Sequence, residues 1–150
     1  PIGTGMALAR KLQSKQGKIY VMMSDGECQE GTTWESLLIA AKHKLDNLVV
    51  LIDYNKIQAL TTLDEALPLH NLPSKFKAFN WDCAEVNNGH SFEELLPVLQ
   101  ESNAEGKPRV IIAHTIKGKG IKPFENDPAW HARKIKGEEL ELGKKELGMI

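Results

Sequence analysis

Lys18-Ile19-Tyr20-Val21-Met22-Met23-Ser24-Asp25-Gly26 and Asn47-Leu48-Val49-Val50-Leu51-Ile52-Asp53-Tyr54-Asn55 are the two stretches from which the architecture is read. The first is a β-rich apolar run stopped by turn residues, which predicts a strand over residues 18–23. The second is apolar without alternation over residues 47–53, the pattern of a strand covered on both faces of a sheet. Between them Trp34, Leu37, Leu38 and Ala41 recur at helical spacing, and Ile39 and Ala40 widen the apolar face. A mostly buried helix is therefore expected over residues 32–43.

The same alternation continues outward. Residues 81–86 and 109–114 read as a third and a fourth strand. Between them Ser91 is placed to cap a helix running through Leu99, with Glu93 or Glu94 in its first turn. Strands alternating with helices predict an α/β domain: a parallel sheet with helices on both faces. Residues 58–74 carry Pro68 and Pro73 and show no clear period, which reads as a functional loop or a surface excursion. The expected division is one α/β domain over residues 1–133, then a solvated helix or linker over 134–150.

Composition narrows the function classes. The chain has 150 residues, 41% of them hydrophobic, with 19 Lys plus Arg against 20 Asp plus Glu, as expected of one globular domain. A net charge of −1 leaves no basic surplus to hold a nucleic acid backbone. No apolar run approaches the ~20 residues of a membrane span. Two cysteines, Cys28 and Cys83, do not make a disulfide scaffold, and with no signal-peptide pattern at the start they point to the cytoplasm. The opening Pro1-Ile2-Gly3-Thr4-Gly5 runs straight into a helical pattern through Met6, Leu8, Ala9 and Leu12, as expected of part of a longer polypeptide.

The candidate chemistry lies at the strand ends. If the first two strands are parallel neighbours, Asp25 and Asn55 emerge at one carboxyl edge, where open α/β sheets bind ligands. Neighbouring strands lie about 4.7–4.9 Å apart, so both side chains can reach one ion. A carboxylate, an amide carbonyl and a main-chain carbonyl are hard oxygen donors suited to Mg²⁺ or Ca²⁺, and Mg²⁺ usually takes its remaining ligands from water and phosphates. Gly26 lets the backbone approach a diphosphate. Taken by themselves, these residues fit an Asp-Gly turn and a loop asparagine equally well.

Longer motifs separate the two. Ser24-Asp25-Gly26-Glu27-Cys28-Gln29-Glu30-Gly31, followed downstream by Asn55-Lys56-Ile57, resembles the thiamine diphosphate motif of transketolases. Gly5-Met6-Ala7 upstream, and Thr115-Ile116-Lys117-Gly118-Lys119-Gly120 with Trp130-His131 downstream, extend the resemblance over residues 5–131. The resemblance implies the thiamine diphosphate-binding fold, incomplete at its N-terminus. It also implies a metal held by Asp25, the Asn55 side chain and the Ile57 carbonyl, with Gly26 and Glu27 completing the cofactor-binding set. His131, Glu30 and Glu35 form the implied catalytic set: His131 close to the diphosphate and substrate, the two glutamates at a subunit interface that couples paired sites.

The implied reaction moves a two-carbon ketol unit from a ketose phosphate to an aldose phosphate. The activating glutamate of the family lies on a separate pyrimidine-binding domain, so a homo- or hetero-oligomer with that domain or a C-terminal subunit is expected. Three positions depart from the family pattern: Ser24 for glycine, Tyr54 for an Asp or Asn, and Ala132 for the glycine after the histidine. Two other readings remain, another thiamine diphosphate enzyme of the deoxyxylulose-phosphate synthase or 2-oxo acid dehydrogenase type, and a non-catalytic assembly module. His43, His70, His90 and His114 read as surface or packing residues, and Cys28 as a small packed one.

Overall fold

The computed structural model describes residues 1–59 and 61–150. A four-stranded parallel sheet, order β1-β2-β6-β5, is built from β1 (Ile19–Ser24), β2 (Leu48–Tyr54), β5 (Asp82–Val86) and β6 (Arg109–His114). The register pairs Ser24 with Asp53 and Tyr54 with His114, so β1, β2 and β6 end at one edge. Helices α1 (Ile2–Leu12), α2 (Gly31–Lys42), α4 (Leu72–Ala78) and α5 (Phe92–Gln100) cover the sheet.

β2 lies between β1 and β6, which is why its apolar residues run without a break. Leu48, Val50 and Ile52 join Leu37 and Ala40 of α2 and Phe76 of α4 on one face, while Val49 on the other meets Ile111, Val86 and half-buried residues of α5. Phe76, fully buried, packs its ring against Trp34 and Trp81 at centroid distances of 5.7 and 6.1 Å. The expected cap of α5 is present: the Ser91 hydroxyl accepts from the Glu94 amide at 3.3 Å, and Glu93 and Glu94 occupy the first turn.

Two expectations need correction. Helix α2 is not mostly buried: Leu38 is 59% and Ile39 48% exposed, because one stripe of the helix suffices to cover β1 and β2. Residues 58–74, of which residue 60 lies outside the described residues, are not a surface excursion. A hairpin of β3 (Ile57–Gln58) and β4 (Thr61–Thr62) leads into α3 (Leu63–Ala66), and Leu63, Leu69 and Leu72 are buried in the main core. Apolar side chains are also uncovered on the outer face of β1, where Tyr20 is 56% and Met22 70% exposed. Past the sheet, α6 (Glu138–Glu146) sets its buried Gly143 near Ile121 and Phe124. No helix among the described residues is long and apolar enough to cross a membrane.

Candidate cofactor site

The edge where the strands end is tied together by the residues that follow them. The Asp25 amide donates to the Asp53 carbonyl (3.2 Å), the Thr115 amide to the Tyr54 carbonyl (3.3 Å), and the Thr115 hydroxyl to the Asp53 carboxylate. Asp25 itself is 1% exposed. Its carboxylate accepts from the Gly26 amide at 2.8 Å and from the Lys56 amide at 2.6 Å. Burial pushes its pKa up, and the Asp53 charge adds to the rise against the pull of those backbone bonds.

Lys56 reaches Asp25 because its backbone is in the left-handed region, φ 66°, an uncommon place for a side-chain-bearing residue. Three hydrogen bonds hold it there. Its amide donates to Asp25, the Asn55 side-chain carbonyl accepts from the Ile57 amide at 3.0 Å, and the Lys56 carbonyl accepts from Leu63 at 2.8 Å. Asp25 and Asn55 are thereby brought together around one turn of backbone, as their places after adjacent strands predict.

The Glu27 carboxylate folds back to accept from the Ser24 amide (2.7 Å) and hydroxyl (3.1 Å), while the Glu27 amide donates to the Ser24 hydroxyl at 3.4 Å. This reciprocal box closes the short 3-10 turn Gly26–Gln29, and it uses the serine that stands where the resemblance expects glycine. Glu27→Ala is expected to lower stability by about 1 kcal/mol in denaturant unfolding, with most of the loss recovered by Glu27→Gln. Equal stability of the three proteins would show that the box holds nothing.

The donor set fits a hard divalent cation. No basic side chain pairs with Asp25 or Asp53 among the described residues, so the buried carboxylate lacks a counter-charge. Asp25 and the Asn55 carbonyl each keep unused lone pairs after the backbone bonds they accept. Beside them the Gln58 side-chain oxygen is buried without a partner among the described residues, and a Cβ on Gly26 would touch that side chain at 3.4 Å. Among the described residues no group of three His, Cys, Asp or Glu could hold a metal, and the oxygen set here is built on one carboxylate. Cys28 is buried with its thiol pushed up to about 12 by burial, an inert packed residue as its sequence context suggests.

A cleft of about 430 Å³ opens at the same edge, lined by Asp53, Asn55, His90, Thr115 and Lys117 among others. His131 closes the 3-10 turn Pro128–His131, which the Asp127 side chain caps at the Ala129 amide (2.9 Å). Its Nδ1 lies 3.4 Å from the Lys117 ammonium. An ammonium has only protons to donate, so this contact makes Nδ1 the acceptor and puts the ring proton on Nε2. Glu30 ends the 3-10 turn Gly26–Gln29, its amide donating to the Glu27 carbonyl at 3.2 Å, and Glu35 lies within α2; both residues are exposed. Thr115, which opens the downstream motif, joins the cleft, and so does His90, which the sequence alone reads as a surface or packing residue.

A parallel sheet that gathers oxygen donors and a glycine at its carboxyl edge belongs to the class of open α/β domains that bind ligands in the crevice beyond their strand ends. The family described as transketolase, thiamine diphosphate binding domain, matches residues 9–150, and the chain belongs to it. An apulose-4-phosphate transketolase subunit from Actinobacillus succinogenes is 40% identical over 98% of this chain and 53% of its own length. A 6-deoxy-6-sulfo-D-fructose transketolase subunit from a Clostridium species is 36% identical over 95% of this chain and 52% of its own length. The chain thus spans about half the length of these curated relatives. The crystal structure of transketolase from Campylobacter jejuni superposes with a TM-score of 0.85 at 30% identity, covering 98% of this chain and 24% of that one.

Proposed function

We propose that this chain is the cofactor-binding part of a transketolase that moves a two-carbon ketol unit from a ketose phosphate to an aldose phosphate. The observation that carries the reading is the buried Asp25 carboxylate, which no basic side chain pairs among the described residues and which is joined to Asn55 through the Lys56 turn. In this reading Asp25, the Asn55 side chain and the Ile57 carbonyl hold Mg²⁺ or Ca²⁺, and Gly26 lies along the diphosphate. Glu27 belongs to the cofactor-binding set through Ser24, by fixing the turn that aims Asp25. Bound thiamine diphosphate supplies the carbon nucleophile and electron sink; the protein supplies binding, orientation and protons. His131, whose Nδ1 faces the Lys117 ammonium, is left with Nε2 to donate at the reacting end. Glu30 and Glu35, exposed at the start of α2, face a partner that brings the pyrimidine-binding domain. The names of the two curated relatives support this: each is one subunit of a transketolase, which implies a second, and each is named for a phosphorylated or sulfonated sugar.

Calorimetric titration of thiamine diphosphate, with and without Mg²⁺ and with and without a pyrimidine-binding partner, tests the reading. Binding is expected to need Mg²⁺ and to tighten with the partner. Partner binding indifferent to both would identify an assembly module, and pyruvate decarboxylation with ketose phosphates untouched would identify another thiamine diphosphate enzyme.

A further inference from the structure

We infer that His90 is a positioning residue for the cofactor cleft. Its imidazole latches the turn after β5 to the loop after β6, and through that loop sets Lys117 against His131. The inference rests on the reading of the cleft as the cofactor site.

Three features place the imidazole. The turn is fixed at its own base: the His90 amide donates to the Asn88 side chain at 3.2 Å, and the Asn88 amide to the Glu94 carboxylate of α5 at 3.1 Å. Gly89 then brings the turn against β6, its amide donating to the His114 carbonyl at 2.8 Å. The approach is close enough that a Cβ on Gly89 would lie 2.8 Å from the Thr115 methyl and 3.0 Å from the His114 carbonyl oxygen. Finally the His90 Nε2 accepts the Ile116 amide at 2.8 Å, which requires a neutral ring with its proton on Nδ1.

Ile116 is the point where this latch becomes functional. It follows Thr115, whose hydroxyl is bonded to Asp53, and its carbonyl accepts the Lys119 amide at 3.2 Å to begin the next turn. Lys117 lies between these two anchors and lines the cleft, with its ammonium on His131. The Lys117 carbonyl accepts the Asn126 amide at 2.9 Å, so a loop loosened at Ile116 would turn about that bond and shift the Lys117 ammonium against the cleft and His131. The His90 bond is made by residues 26 apart in sequence, across two strand ends, so it stiffens the cleft in a way neither loop does alone.

The test compares His90→Leu, which removes the acceptor, with His90→Gln, whose carbonyl oxygen has similar reach, in the full-length protein. Amide exchange at Ile116 and the ¹⁵N shifts of His131 are read without ligand, and thiamine diphosphate affinity is read with Mg²⁺. His90→Leu is expected to speed Ile116 exchange, to remove the preference of His131 for the Nε2 proton, and to weaken cofactor binding roughly fivefold, the effect of one hydrogen bond. His90→Gln is expected to restore most of each. Unchanged exchange in His90→Leu, faster exchange with undiminished affinity, or a glutamine variant no better than leucine would each overturn the inference. If the wild-type protein binds no cofactor, the functional reading fails, and the latch stands or falls on Ile116 exchange and the His131 shifts.

Discussion

An Asp25→Asn variant is expected to lose at least roughly a hundredfold in affinity for thiamine diphosphate with Mg²⁺, while its stability changes far less. The asymmetry follows from what the carboxylate meets on each side. Toward the protein it accepts two amides, from Gly26 and Lys56. Asparagine keeps the volume and one acceptor but turns an NH₂ toward one of those amides, which costs about 1–3 kcal/mol for a polar group left unpaired. The same change removes a buried charge that burial and Asp53 already disfavour, and this offsets part of the loss. Toward the ligand nothing offsets it. The charge that no side chain among the described residues balances is the charge a divalent cation needs, and an amide oxygen in its place is a weaker hard-ion donor. Calorimetry for binding and denaturant unfolding for stability separate the two effects. Wild-type affinity in Asp25→Asn would remove Asp25 from the metal site.

The strand ends are legible in the sequence for a physical reason: a strand covered on both faces writes an unbroken apolar run, and such a run must stop at turn residues. β2 and the fully paired β6 announce themselves that way, and Asp25 and Asn55 follow from counting to where β1 and β2 stop. The hairpin of β3 and β4 is not legible, because two-residue strands have no period to detect. The exposure of Leu38 and Ile39 is hidden for a different reason. Sequence records that a helix face is apolar but not what covers it, and α5 crosses the sheet on the opposite face.

The finer parts of the site depend on contacts between distant residues. Thr115 reaches Asp53 across 62 residues and His90 reaches Ile116 across 26, distances over which local spacing carries no signal. The Ser24 and Glu27 pair is the informative intermediate case. A serine three residues before a glutamate is a readable capping box, but the resemblance to a glycine-containing motif points toward the phosphate and away from the turn. In the structure that hydroxyl is engaged with Glu27, so the substitution is accommodated within the turn itself.

Gly118→Ala is expected to destabilise the protein by about 2–4 kcal/mol, combining a left-handed backbone with a clash that side-chain rotation cannot relieve. Gly118 has φ +75°, and a Cβ there would lie 2.4 Å from the Phe124 carbonyl oxygen and 2.9 Å from its carbon, both backbone atoms. Something must move, and what lies behind Phe124 is the support of His131. The Phe124 ring stacks on Trp130 at 3.9 Å between centroids, and the Arg133 guanidinium lies 4.5 Å from the Trp130 ring centre. Displacing Phe124 therefore disturbs the turn Pro128–His131 and, next to Gly118 itself, the Lys117 that meets His131. Gly120 is the control built into the same loop: its φ is +107° but nothing lies within 4 Å of its Cβ position, so Gly120→Ala carries backbone strain alone, about 1 kcal/mol. Denaturant unfolding of the two variants isolates the close approach from the strain. The ¹⁵N shifts of His131 show whether the displacement reaches the cleft, and a Gly118→Ala no costlier than Gly120→Ala would mean that the loop yields without Phe124.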